Sequence, residues 1–173
     1  MTDGGLARGE LHPRWEHVAA VGTAMEALVD DPAHDLPEEL ASAAWLHDIG
    51  YAGPLQETMC HAVDGAIHLQ RLGFSNLVVS LVAWHTGAAW EAEVRDVFGE
   101  LEGFPTPPRD LLDVLTLVDL TTGPDGGHVD VEQRIAEILD RYDVADPVHR
   151  SVSSSAQALR GSAERARSRL FSR

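Results

Sequence analysis

The sequence predicts an all-α fold, and three observations carry the prediction. Apolar residues recur at intervals of three and four along most of the chain. Period-two alternation is never sustained for more than a few residues. Proline stands where helices would start (Pro13, Pro37, Pro147) and glycine where they would stop (Gly50, Gly73). At 173 residues the chain has the length of one domain with a sizeable core. We expect a single unit over 1–173, with its core at about 12–142 and a helical extension over 143–173.

The first helix runs from Pro13 to about Asp30, with Trp15, Val18, Gly22, Met25 and Val29 on one stripe. His17 aligns with Val21, Ala24 and Leu28 on a second apolar face, one turn after Arg14. Asp31, Pro32 and Asp35 break the chain, and Pro37 opens a second helix through His47 that Gly50 ends. After a loop over 50–58, a third helix runs from about His61 to Leu72. The segment NLVVSLVAWH, capped by Ser75 or Asn76, is apolar nearly all round and predicts a central helix buried by its neighbours. One more polar helical stretch is expected from Ala88 to Leu101, and GFPTPPRD, with three prolines, as a surface loop or lid. A helix over 109–122 is followed by the turn TGPDGG and a helix that Asp130 caps and that ends at Tyr142. Pro147 opens another segment, and SVSSS is expected to weaken the pattern before a final arginine-rich helix.

Composition narrows the function. The longest apolar runs, such as Leu81 to Trp84, are far too short to span a bilayer, and the start MTDGGLARGE lacks a signal peptide's apolar stretch. A cytoplasmic address and no membrane partner are therefore expected. Cys60 is the single cysteine, so one chain can form neither a disulfide nor a thiolate cluster. All 13 basic residues are arginine, against 28 acids, for a net charge of −15. Without lysine there is no Schiff base and no P-loop. Six arginines and one glutamate follow His149, which leaves residues 1–149 at −20. Such a body repels a nucleic-acid backbone, and the basic tail is expected to dock on it.

Nine histidines stand in the chain. His12, His34, His128 and His149 fall beside Pro, Asp or Gly in expected loops or helix starts and read as solvated, while His68 reads as packing or solvated. His17, His47 and His85 fall on or beside apolar helical faces, and His61 starts a helix. Asp48 follows His47 where the second helix ends. On a helical wheel Asp119, within LTLVDL, lies opposite Asp110 and between Leu112 and Leu115, whereas Asp113 falls nearer the polar side. Burying an unpaired carboxylate costs several kcal/mol or drives its protonation, and no basic residue stands at helical spacing from Asp119. A metal ion is the economical partner; a neutral aspartate bonded to Thr116 or Thr122 is the other solution.

The ordered set of His17, HDIG at His47 to Gly50, His61, His85 and Asp119 resembles the HD-domain metal-dependent phosphohydrolase superfamily, over roughly residues 12–142. HAVDGAIHL and AWHTGA are similar to segments of its small HDIG proteins, including hydrolases of diadenosine tetraphosphate. The resemblance implies an HD-domain helical bundle with the metal site in its core. It implies that His17, His47, Asp48 and Asp119 hold one metal, with Asp48 bridging to a second held by His61 and His85. Imidazole and carboxylate donors favour iron or manganese, with zinc, nickel, cobalt or magnesium as the other candidates. Two dications against two carboxylates leave a positive spot that draws phosphate. The implied reaction is hydrolysis of a phosphoester or phosphoanhydride in a small nucleotide or phosphorylated metabolite, with a hydroxide shared by the metals as nucleophile and Asp48 and Asp119 as the catalytic carboxylates.

Around these donors, Arg14, Thr86, Thr122 and Arg150 are the expected substrate contacts, and Tyr51 adjoins the HDIG turn. The same donor set also resembles that of mixed-valent di-iron oxygenases on this fold, and a metal-braced module that binds nucleotides without catalysis is a third reading. Selectivity is expected to lie in lids such as 102–109. Oligomeric state is left open.

Overall fold

The computed structural model describes residues 8–172 and, within the first helix, side chains from Arg14 onward. The start MTDGGLA, the His12 side chain and Arg173 lie outside the described residues. Among those described, the chain is all-helical, apart from one isolated β-bridge between Thr122 and His128. The helices are α1 (Arg8–Asp30), α2 (Glu38–Leu46), α3 (His61–Arg71), α4 (Asn76–Trp84), α5 (Ala88–Val94), α6 (Phe98–Glu102), α7 (Arg109–Leu120), α8 (Val131–Arg141) and α9 (Pro147–Phe171). Two short 3₁₀ turns, Ile49–Tyr51 and Gly53–Leu55, follow α2. No described helix is long and apolar enough to cross a membrane.

The central helix is α4, as its all-round apolarity predicts. Leu81, Val82 and Ala83 are fully buried, and α4 touches α2, α3, α5 and α7. Helix α1 crosses α2 so closely that a Cβ on Gly22 would sit 2.3 Å from the Trp45 ring. The entry to α3 is tied by Asp64, whose Oδ1 accepts 2.8 Å hydrogen bonds from both the backbone N–H and the hydroxyl of Thr58. Asp130 and Gln133 cap α8 reciprocally, each side chain accepting from the other's backbone N–H.

Four expectations need correction. The stretch from Ala88 to Leu101 is two helices, because the backbone turns left-handed at Asp96 (φ 59°) and so carries Leu101 into the core. SVSSS does not weaken the last helix. Ser151 and Ser155 lie one turn apart on its buried face, and their hydroxyls donate to the Val148 and Val152 carbonyls. Leu159, Ala163, Ala166 and Leu170 continue that face, so α9 runs unbroken through 25 residues. Asp113 is buried, with Arg165 of α9 donating two 2.7 Å hydrogen bonds to its carboxylate. Its partner lies 52 residues away, beyond the reach of a helical wheel. The proline loop is not a lid over the cavity described below; Phe104 packs inward and its carbonyl accepts a hydrogen bond from the Trp84 indole.

The basic tail docks on the acidic body, as its charge predicts. Arg160 pairs with Glu132, Arg165 with Asp113 and Arg169 with Asp110. With its buried apolar stripe, α9 is thereby part of the core and not an appendage.

Cys60 is fully buried, and burial, with Glu91 nearby, pushes its thiol up to about 11. At pH 8 only about one part in a thousand would be thiolate. Iodoacetamide is therefore expected to leave the native protein unmodified over an hour and to label it fully in denaturant, read by mass spectrometry. Rapid native labelling would contradict this packing.

Candidate metal centre

The backbone aims three imidazoles at one point. His47 Nδ1 lies 2.7 Å from the Ala44 carbonyl oxygen, and His85 Nδ1 lies 2.7 Å from that of Val82. Each carbonyl is the acceptor three residues back in the helix that the histidine ends. A carbonyl only accepts, so each Nδ1 carries a proton, and it is Nε2 that presents the lone pair of the neutral ring. His17 repeats the device across the fold, with Nδ1 3.1 Å from the carbonyl of Gly123 in the TGPDGG turn. The His61 ring faces Glu91 instead, Nδ1 to Oε2 at 3.4 Å.

The four Nε2 atoms and two carboxylates converge. Asp48 Oδ1 lies 3.7 Å from His47 Nε2, 3.6 Å from His61 Nε2 and 3.9 Å from His85 Nε2. Asp119 Oδ1 lies 3.1 Å from His17 Nε2 and 4.0 Å from His47 Nε2, and the Nε2 atoms of His61 and His85 are 3.2 Å apart. Donors at about 2.1 Å from one ion stand roughly 3 to 4.2 Å from each other. Every separation above falls in that range. Two donor groups result, His17–His47–Asp48 and Asp48–His61–His85, and both contain Asp48. His47 Nε2 is buried without a hydrogen-bond partner. A buried lone pair with no donor, flanked by two carboxylates, fits a cation better than any side chain present.

Electrostatics agrees with that fit. Burial opposes ionisation of Asp48, yet the His47 and His61 rings and the Arg14 guanidinium hold its carboxyl well below the usual carboxylate range. Asp119 is held down likewise against burial, by its hydrogen bond to His17 and by the His47 ring. Burial and the neighbouring His61 and His47 rings push His85 down to about 4, so its Nε2 is bare at neutral pH. His17 goes the other way: its bond to Asp119 raises it against burial. A proton on that nitrogen must leave before the ring can bind a cation, so uptake releases a proton and strengthens as pH rises.

Gly50 sets the spacing of the turn after Asp48. A Cβ there would lie 1.9 Å from the His61 carbonyl oxygen and 2.6 Å from the Gly65 nitrogen, so only glycine lets this turn press against α3 and bring Asp48 to His61. Beside it, Tyr51 stacks on His61 at 4.0 Å and Arg14 lies 3.4 Å over the Tyr51 ring. Arg14 also donates a 2.9 Å hydrogen bond to Asp48 Oδ2, which turns Oδ1 toward the histidines.

A cavity of about 110 Å³ opens above the cluster. Of the expected substrate contacts, Arg14 and Thr86 line it. Thr122 and Arg150 do not. The Thr122 hydroxyl is spent on the Val118 carbonyl at 2.8 Å, and Arg150 is exposed on the outer side of α9. Sequence reasoning missed Glu91, Arg134, Arg141 and Tyr142, as well as the α9 wall that includes Ser151 and Ser155. One signal was there to read: Arg134 falls within the apolar stripe Val131–Ile135–Ile138, as Asp119 falls among leucines.

In long-range ¹H–¹⁵N spectra of metal-free protein at neutral pH, His85 is expected as the Nδ1–H tautomer with bare Nε2. An Nε2–H signal from that ring would contradict the carbonyl-imposed orientation.

A family model for the HD domain matches residues 14–145. No curated protein and no solved structure matches the chain. The matched segment begins in α1, ends between α8 and α9, and holds all six donors. The chain belongs to the HD domain family, whose members are typically metal-dependent phosphohydrolases.

Proposed function

We propose that this protein, as a member of the HDIG subgroup, hydrolyses a phosphate ester or anhydride bond in a small phosphorylated compound such as a nucleotide, using two divalent transition metals. The single observation that carries this reading is Asp48 Oδ1, shared by two donor groups at the foot of a cavity bordered by guanidinium groups. His17, His47, Asp48 and Asp119 would hold one ion, and Asp48, His61 and His85 the other, with iron or manganese favoured by the nitrogen and oxygen donors. When bound, two such ions polarise phosphoryl oxygens and make a water acidic enough to attack at neutral pH.

The chain's own residues supply the rest. Asp48 and Asp119 stay ionised in a buried setting and so offset cationic charge. Arg14, pinned between Asp48 and Tyr51, brings a guanidinium to the edge of the donor cluster, where it can meet a phosphoryl oxygen. At about 30 Å³ per water in the liquid, the cavity of about 110 Å³ corresponds to roughly four waters. That is room for the phosphoryl group and a few attached atoms, with the remainder of the substrate reaching through the mouth.

The test is a panel of nucleotides, dinucleoside polyphosphates and sugar phosphates with manganese- or ferrous-loaded protein. Phosphate release is expected from at least one of them. Asp48→Ala should lower it at least about a thousand-fold, and Arg150→Gln should leave it unchanged. A metal-loaded protein inert across the panel would contradict the proposal, and substrate-dependent oxygen uptake by the reduced iron form would replace it with oxygenase chemistry.

A further inference from the structure

Five buried side-chain polar atoms among the described residues have no hydrogen-bond partner: His47 Nε2, His61 Nδ1, Asp64 Oδ2, Thr86 Oγ1 and Arg134 Nε. The first belongs to the donor cluster, and the second faces Glu91. Asp64 already accepts twice through its other oxygen. Thr86 and Arg134 remain, and both line the one cavity above the metal donors.

No cation can satisfy Arg134, because a guanidinium only donates and is always charged. Its Nη1 donates to Glu137 at 2.5 Å, and Arg141 donates to the other oxygen of the same carboxylate. Two guanidinium groups thus share one carboxylate, so this trio carries one positive charge in excess. The Arg134 side chain is only 11% exposed, so water screens that charge poorly. Thr86, between α4 and α5, is the other unpaired group in the cavity lining. It holds a positive φ of 29°, rare and costly for a β-branched residue, and it keeps its hydroxyl buried without a partner. The hydroxyls of Ser151 and Ser155, which also line the cavity, donate to their own helix.

We propose that Arg134 forms a second anion subsite on the α8 side of the cavity, so that the substrate carries, besides the phosphoryl group at the metals, a further acidic group, a carboxylate or a second phosphate. This rests on the hydrolase reading above and narrows it. The Arg134 guanidinium lines the cavity and keeps an Nε–H without a partner, and a guanidinium is the group that a carboxylate or phosphate meets with two hydrogen bonds.

Calorimetry on desalted, manganese-loaded protein tests it with three non-hydrolysable probes: methylphosphonate, phosphonoacetate and methylenediphosphonate. The wild type is expected to bind at least one two-headed probe about tenfold or more tighter than methylphosphonate. Which of the two it prefers tells carboxylate from phosphate. Arg134→Gln should cut that preference below about threefold, Arg134→Lys should keep part of it, and Arg150→Gln all of it. A wild type without preference, a preference that survives Arg134→Gln, or equal weakening of all three probes overturns the subsite. Binding of methylphosphonate reads the hydrolase proposal separately. A protein that ignores methylphosphonate yet holds phosphonoacetate through Arg134 keeps the subsite and loses that proposal.

Discussion

The structure depends on how its histidine rings are oriented. Backbone carbonyls at Ala44, Val82 and Gly123 accept from the Nδ1 atoms of His47, His85 and His17 and so turn three Nε2 atoms toward Asp48 and Asp119. Two of those carbonyls lie in the last turns of α2 and α4, where helical carbonyls lack intrahelical partners and are free to accept. A helix end therefore does two things at once: it finds a donor for its own backbone, and it fixes the tautomer of a ring that presents a lone pair to the core.

Ring orientation in turn constrains packing. Buried carboxylates and dry imidazoles are costly inside an apolar bundle, and a structure keeps them only where neighbours hold them rigidly. Here the rigidity comes from close backbone approaches, Gly50 against α3 and Gly22 against Trp45, and from a fully buried α4 between the elements that carry the donors. Helix α9 joins core and cavity. All of it lies past the segment that the HD domain model matches, yet its Leu159, Ala163 and Leu170 complete the core while Ser151 and Ser155 face the cavity. The matched part thus carries the six donors, and α9, beyond it, shapes the space above them.

Much of this was legible in the sequence, for physical reasons. Helical periodicity exposes one-sided burial, so α4, the face of α7 that carries Asp119 and the His17 face of α1 could all be read locally. The convergence of six donors across 102 positions is not local and came only through resemblance to a known order of residues. What stayed hidden depends on tertiary partners. Asp113 reads as polar until Arg165 arrives from a helix 52 residues on. The left-handed turn at Asp96 serves the burial of Leu101, and the serines of α9 pack through small volume and hydroxyls that bond back to their own helix, none of which a hydrophobic pattern records. Glu91 is a charged residue on a helix that otherwise looks solvated, and only the cavity reveals what it faces.

Metal content per chain tests the central claim most directly. After anaerobic reconstitution with ferrous iron or manganese and desalting, elemental analysis is expected to give about two ions per wild-type chain and close to none for Asp48→Ala, whose carboxylate serves both donor groups. One ion or fewer under every reconstitution, or an Asp48→Ala chain that keeps its full complement, would contradict a paired-cation centre built on Asp48.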